Sequence, residues 1–411
     1  MQRPRRVLKL RRWVGITALI LAGCTPSAQT QAPIVAAPLL LGGTPLPSGT
    51  PTAAATPQPV LVVGVEAPPP CTTAGVLATW TLTRLAQQTI VVPVEESNVL
   101  LVRAEVAAGA GGVILFGASA PANLGASLQA LNAVAPDGIK PFIMTDEEGG
   151  VVQRMANLVG SVPSPRQMGA TMSPTQIQQL AVGLAQRMRA NGITMDLAPV
   201  LDVDGGVGPN NVDADGTRSF SVNATVASND GVAFAQGLVA GGITPVVKHF
   251  PGLGGTYGNT DVTAAATPSW SILQSNGLLP FQAAVAAHVP AVMIANARVP
   301  GLTTLPASLS PEVITGVLRG RLGFQGLVIT DSLSAVSISS AGYSVPQATV
   351  ASLRAGADMV LYTAAASQVA PLTNATVAAI VAAVEAGTLD RSLLESAVGR
   401  VLAAKAVSLC A

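Results

Sequence analysis

From about residue 88 onward, short uninterrupted apolar runs alternate with longer segments in which apolar residues recur every three or four positions. The alternation repeats eight times. The runs are QTIVVPV (88–94), GGVILFG (111–117), PFIMTDE (141–147), TMDLAPVLDV (194–203), TPVVKHF (244–250), PAVMIAN (290–296), GLVITDS (326–332) and DMVLYT (358–363). Continuous runs of this length suit parallel strands buried on both faces. One intervening helix has explicit ends. Ser173 is placed as N-cap and Pro174 as the first helical residue, Ile177, Leu180, Ala181, Leu184 and Met188 share a stripe, and Asn191-Gly192 closes it. Eight strand–helix units with no separate block of strands predict an α/β fold, a single-domain (β/α)8 TIM barrel, ahead of a doubly wound sheet. The Ala-rich segments around 376–407 are interrupted by Glu385, Asp390, Arg391 and Glu395 and read as outer barrel helices rather than membrane spans.

The N-terminal residues change where this barrel is expected to work. MQRPRRVLKLRRW carries six basic residues and no acid, and the short apolar run GITALILAG ends at Cys24. That is the form of a signal peptide, and Leu21-Ala22-Gly23-Cys24 resembles a bacterial lipobox, in which the cysteine is lipidated. The predicted organisation is a lipoprotein signal peptide (1–23), a flexible Pro/Thr/Ala-rich tether (24–70) and the barrel (71–411), exported and anchored at the outer face of the membrane through Cys24. Removing 1–23 leaves sixteen basic side chains against 21 acidic ones, a formal charge of minus five. Such a body has no electrostatic case for nucleic acid. Two further cysteines, Cys71 and Cys410, stand near the two ends of the barrel region. An oxidising compartment allows them to pair as a disulfide; two separate buried thiols are the alternative.

Asp146, Asp202, Lys248-His249, Asn296 and Asp331 all lie at or just after the C-terminal ends of predicted strands, the rim where barrel enzymes hold their sites. One such residue is more often a cap. Five on one rim point to a site. No clustered Cys/His set suggests a metal, and the glycines of GLGGTYGN follow a strand without opening an evident helix, so no cofactor is expected. They read as a source of mobility for a loop that closes over substrate.

DEEGGVVQR (146–154), DLAPVLDV (196–203), GTRSF (216–220), KHFPG (248–252), PASLS (306–310), LRGRLGFQGLVITDSL (318–333) and AGADMVL (355–361) together resemble the barrel domain of glycoside hydrolase family 3. The match is nearest to the single-domain β-N-acetylglucosaminidases of the NagZ type. The resemblance implies that Asp331 is the nucleophile of a retaining hydrolase. It also implies that Asp146, Arg154, Arg218, Lys248 and His249 bind the hydroxyls of N-acetylglucosamine in glycans or muropeptides, with Asp202 and Glu148 in supporting roles.

The chain departs from the family at the general acid/base. Relatives carry KHFPGHG followed by Asp-x-His; here Leu253 replaces the first histidine and Thr263 stands where the catalytic one belongs. The chain has two histidines in all, and His288 falls on an apolar helix. A threonine hydroxyl holds its proton too tightly to replace imidazole. Three outcomes stay open: Asp261 acts as the acid with a raised pKa, Glu147 does so, or the acid is missing and activity is attenuated. The expected function is retaining hydrolysis of terminal β-N-acetylglucosaminides with an altered acid/base. A lipid-anchored binder of cell-wall sugars that has lost turnover is the alternative.

Overall fold

A computed structural model describes residues 71–410. The basic segment 1–23, Cys24 and the tether 24–70 lie outside the described residues.

Eight parallel strands form one sheet: β1 (Ile90–Glu95), β2 (Gly112–Phe116), β3 (Phe142–Thr145), β4 (Met195–Asp196), β5 (Thr244–Phe250), β6 (Ala291–Ile294), β7 (Leu327–Thr330) and β8 (Val360–Leu361). Each predicted run supplies one strand. Their order is β8-β1-β2-β3-β4-β5-β6-β7. A parallel bridge between Ile329 and Met359 joins the two edges, so the sheet closes and the predicted (β/α)8 barrel is the observed architecture. Side chains alternate across each strand. In β2, Val113 and Leu115 pack outward against helices, whereas Ile114 joins Val91, Met144, Val246, Met293 and Ile329 inside the barrel. Burial on both faces is why the runs are continuously apolar.

The helix Pro174–Ala190 begins at the predicted cap. Ser173 and Gln176 satisfy each other's backbone N–H groups in a capping box, and Ile177, Ala181, Leu184 and Met188 are buried. Leu180 is only half-buried, at the edge of the stripe. Residues 366–385 are long and apolar enough to cross a membrane by length and composition. Helix Val369–Glu385 nevertheless buries Val369, Thr373, Thr376, Ile380 and Ala383 and packs on β1 and on helix Leu82–Gln88, which places it in the outer ring.

At the N-terminal end of the strands, Asp358 is fully buried and accepts from Arg319 Nη2 (2.7 Å), Arg400 Nε (2.7 Å) and the Val328 N–H (2.8 Å). The motifs LRGRLGF and AGAD therefore meet as a clamp on the barrel floor, away from the rim where chemistry is done. Cys71 and Cys410 are disulfide-bonded, with Cα atoms 5.6 Å apart, and helix Thr73–Leu77 packs on helix Arg391–Ala404.

Candidate active site

Side chains leaving the C-terminal ends of β3, β5 and β7 converge on a cavity of about 440 Å³, a size ordinary for a small-molecule site. Strand alternation selects which of three consecutive acids face it. Asp146 and Glu148 line the cavity. Glu147 is fully buried and turned into the protein, where it accepts from the N–H groups of Arg154 (2.7 Å) and Met155 (2.6 Å) and from Gln153 Nε2 (2.9 Å). These bonds fix the hairpin Glu147–Gly149/Val152–Gln153 and remove Glu147 as a candidate acid.

The charged wall of the cavity is an alternating network. Lys248 Nζ lies 2.7 Å from Asp146 Oδ1 and 2.6 Å from Glu148 Oε1. Arg218 grips Glu148 with two donors, Nε to Oε2 at 2.8 Å and Nη2 to Oε1 at 2.7 Å, and Arg154 Nη2 stands 3.5 Å from Asp146 Oδ2. Burial pushes both carboxyls up, but the adjoining cations outweigh it and hold Asp146 and Glu148 below the usual carboxylate range. Burial pulls Lys248 and Arg218 down, and the carboxylates more than restore them. All four therefore stay ionised and serve as fixed charges. Glu148 does more than the sequence indicated, since it lines the cavity and holds two of its cations.

His249 follows Lys248 on β5, and the Lys248–His249 and Phe250–Pro251 peptides are both cis. Its Nδ1 is 2.7 Å from Asp202 Oδ2. Asp202 also accepts from the N–H groups of Leu253 (2.6 Å) and His249 (3.1 Å), so its carboxyl is occupied by the backbone and the imidazole behind the cavity wall. Burial pushes Asp202 up to about 7 and His249 down to about 4, the latter helped by the Arg218 charge, so His249 presents a neutral ring to the cavity. Sequence reasoning missed Asp215. Its side chain is 2% exposed, with Oδ1 lying 3.9 Å from both His249 Nδ1 and Arg218 Nη1 and making no hydrogen bond. Its place three residues before Arg218 was the available signal. One ligand-type atom each from Asp202, Asp215 and His249 fall within 4.8 Å of one another. The 2.7 Å contact is a hydrogen bond and Arg218 adjoins the group, so the trio reads as a polar support for the imidazole.

Asp331, at the end of β7, lines the cavity and accepts the Ser332 N–H at 2.6 Å. Burial raises its pKa; the neighbouring His249 opposes this and the charge of Asp261 adds to it. Asn296 acts one step removed, donating to Ser332 O (2.7 Å) and accepting from Ser308 Oγ (2.7 Å), which ties the end of β6 to the turn that carries Asp331.

Asp261 reaches the same cavity from the loop after β5. The residue is exposed at the rim, yet burial of its carboxyl raises the pKa against the pull of Arg218. Thr263 is exposed, does not line the cavity and bonds to Ala264 O. His288 is exposed beyond the end of helix Leu279–Ala286, leaving His249 as the histidine at this cavity. The loop's glycines answer to geometry. A Cβ at Gly254 falls 2.2 Å from Val203 O, and Gly258 has φ +96°, a conformation that other residues rarely adopt.

Comparison with known proteins identifies the family. The family model "Glycosyl hydrolase family 3 N terminal domain" matches residues 89–404. The beta-hexosaminidase LpqI of Mycobacterium tuberculosis is 36% identical over 280 residues, covering 66% of this chain and 70% of the relative. A secreted glycosyl hydrolase of Arthroderma benhamiae is 35% identical over 303 residues, covering 71% of this chain and 84% of the relative. The solved glycoside hydrolase family 3 β-N-acetylglucosaminidase of a Paenibacillus species superimposes with a TM-score of 0.74 at 31% identity, over 80% of this chain and 62% of that one. A closed parallel barrel with acids at its C-terminal rim, matched by the family model from β1's threshold through the last helix, makes this chain a hydrolase belonging to glycosyl hydrolase family 3.

Proposed function

We propose that the chain is a retaining β-N-acetylglucosaminidase in which Asp331 is the nucleophile and Asp261 replaces the family's histidine as acid/base. One observation carries this reading. Four acids line the cavity, Asp146, Glu148, Asp261 and Asp331. The first two are spent on cations. Among the described residues, Asp261 and Asp331 make no ion pair, and both have raised pKa values. Two such carboxyls on one cavity are the equipment of a glycosidase, and the resemblance to the family supplies retention.

In the first step the Asp331 carboxylate attacks the anomeric carbon while Asp261 gives its proton to the departing glycosidic oxygen. In the second, Asp261 takes a proton from water, which attacks the same carbon and releases Asp331. Asp146, Arg154, Arg218, Lys248 and neutral His249 hold the sugar's hydroxyls, and a ligand that covers these groups without bonding to them is disfavoured. The names of the relatives support N-acetylglucosamine as the sugar. We place the enzyme outside the cytoplasm, lipidated at Cys24; the basic-then-apolar start and the Cys71–Cys410 bond support an oxidising compartment.

A slow, ring-fluorinated glycosyl fluoride of N-acetylglucosamine tests the assignment. The expected result is a stable adduct on the peptide that contains Asp331. Saturable binding with neither adduct nor turnover overturns the hydrolase mechanism and leaves a sugar-binding protein.

A further inference from the structure

Two loops wall the cavity on the side from which Asp261 enters. One, residues 204–216, contributes Pro209 and Ala214; the other, residues 252–265, contributes Asn259, Thr260 and Asp261. They are joined backbone to backbone, Gly258 N–H to Val212 O at 3.4 Å and Asn259 N–H to Asn211 O at 3.3 Å. Outside the cavity lining they present Val207, Val212, Val262 and Tyr257 to solvent, Tyr257 with 88% of its surface free. Tyr257 is held at its backbone by a bridge to Ala266. An aromatic ring with a polar tip, on a pinned backbone and on loops that expose other apolar residues, has no role in the core.

We infer that Tyr257, flanked by Val212 and Val262, is the platform for the leaving group, and that this group is an uncharged pyranose ring. The inference rests on the acid/base role proposed for Asp261. A general acid must lie within hydrogen-bond reach of the glycosidic oxygen, so the leaving group begins beside Asp261, and Tyr257 is four residues away on the same loop. Aromatic faces pack against the apolar C–H faces of sugar rings, while a phenol tip remains free to bond a hydroxyl. The two loops carry Asp204, Asp213, Asp215 and Asp261 but no lysine or arginine, and adjoining Arg218 is taken by Glu148. A leaving sugar bearing a carboxylate finds no cation on these loops to pair with; a neutral one, such as a second N-acetylglucosamine, needs none. Nothing else in the reaction uses Tyr257, which makes it a specificity-determining residue rather than a catalytic one.

The test compares two substrates in the full chain and in Tyr257→Ala and Tyr257→Phe. Chitobiose places a neutral sugar on the loop; the β-glycosyl fluoride of N-acetylglucosamine places only fluoride there. Chitobiose kcat/KM, or its inhibition constant against fluoride hydrolysis, is expected to worsen about three- to tenfold more than fluoride kcat/KM in Tyr257→Ala. In Tyr257→Phe most of that difference is recovered. In the parent, a disaccharide with a carboxylate on the leaving sugar binds more weakly than chitobiose. Equal losses on both substrates, or tighter binding of the carboxylated sugar, overturn the inference. So does a Tyr257→Ala protein that keeps its chitobiose preference but loses sedimentation with phospholipid vesicles, which assigns the patch to a lipid surface. A parent inert toward the fluoride sinks the hydrolase reading alone, and calorimetric titration of chitobiose into the three proteins then makes the same comparison.

Discussion

Replacing Asp261 by Asn isolates proton transfer from the rest of the reaction. The amide keeps the side chain's volume, and the one bond that positions the residue, its backbone N–H to Asn259 Oδ1 at 2.9 Å, does not involve the carboxyl. Only the proton and the charge are removed. Losing a general acid costs about 10²- to 10⁴-fold, or about 2.7–5.4 kcal/mol of transition-state stabilisation, when the leaving group must be protonated. The full loss is expected on chitobiose. A dinitrophenyl glycoside departs as a stable anion, so its first step is nearly spared and the defect passes to the second step, where base assistance is gone. The pH profile adds a second, signed expectation. In the parent, activity falls at high pH as Asp261 loses its proton and at low pH as Asp331 gains one, the limbs reporting apparent values of the interacting pair. In Asp261→Asn the high-pH limb disappears. The low-pH limb stays near its place, because Asp261 is already neutral in the range where Asp331 takes up its proton. Azide added to Asp261→Ala attacks the glycosyl-enzyme without needing a base and yields a β-glycosyl azide. Equal proportional losses on both substrates, or an intact high-pH limb in Asp261→Asn, would refute Asp261 as the acid/base.

Asp331→Ala is expected to abolish turnover of chitobiose and the dinitrophenyl glycoside alike in steady-state assays, and activity on either substrate comparable to the parent contradicts the nucleophile assignment. Glu148→Gln removes the shared partner of Lys248 and Arg218; breaking a buried pair of this kind costs about 3–5 kcal/mol, read as a lowered denaturant midpoint, and an unshifted midpoint means the network is not structural. Asp358→Ala strips the floor clamp of the carboxylate that pairs Arg319 and Arg400, with a similar loss of about 3–5 kcal/mol in thermal or chemical unfolding and no change in KM; a KM effect would connect the floor to the site. Cys71→Ser opens a link across 339 residues of sequence and is expected to lower unfolding stability by about 2–5 kcal/mol, with non-reducing mass analysis showing Cys410 free; equal midpoints argue that the bond adds nothing.

The barrel was legible because parallel strands buried on both faces leave no ambiguity of period. Every one of the eight runs became a strand, although β4 and β8 shrank to two residues each. The rim acids were legible because they follow those runs. Reading them at single-residue resolution required the alternation of side chains, which puts Asp146 and Glu148 on the cavity and turns Glu147 away; that rule was available from sequence and was not applied. Tyr257 was illegible for a different reason. Its place depends on two loops, 204–216 and 252–265, that meet through hydrogen bonds such as Gly258 N–H to Val212 O and Asn259 Nδ2 to Asn210 O, and no local pattern encodes such a meeting. The glycines of KHFPGLGGTYGN read as mobility in the sequence, and Gly254 and Gly258 in addition meet the steric demands of a defined path.

The sulfur link between Cys71 and Cys410 keeps the barrel from coming apart when it is cut. Loop tips are where proteases nick folded domains, and a single cleavage anywhere between those two positions leaves fragments that are still one covalent molecule. Eight strands hydrogen-bonded in a ring then keep the pieces in register, and loss of either half requires a reductant as well as a protease. Among extracytoplasmic peptidases, a nicked but undivided enzyme is the expected survivor.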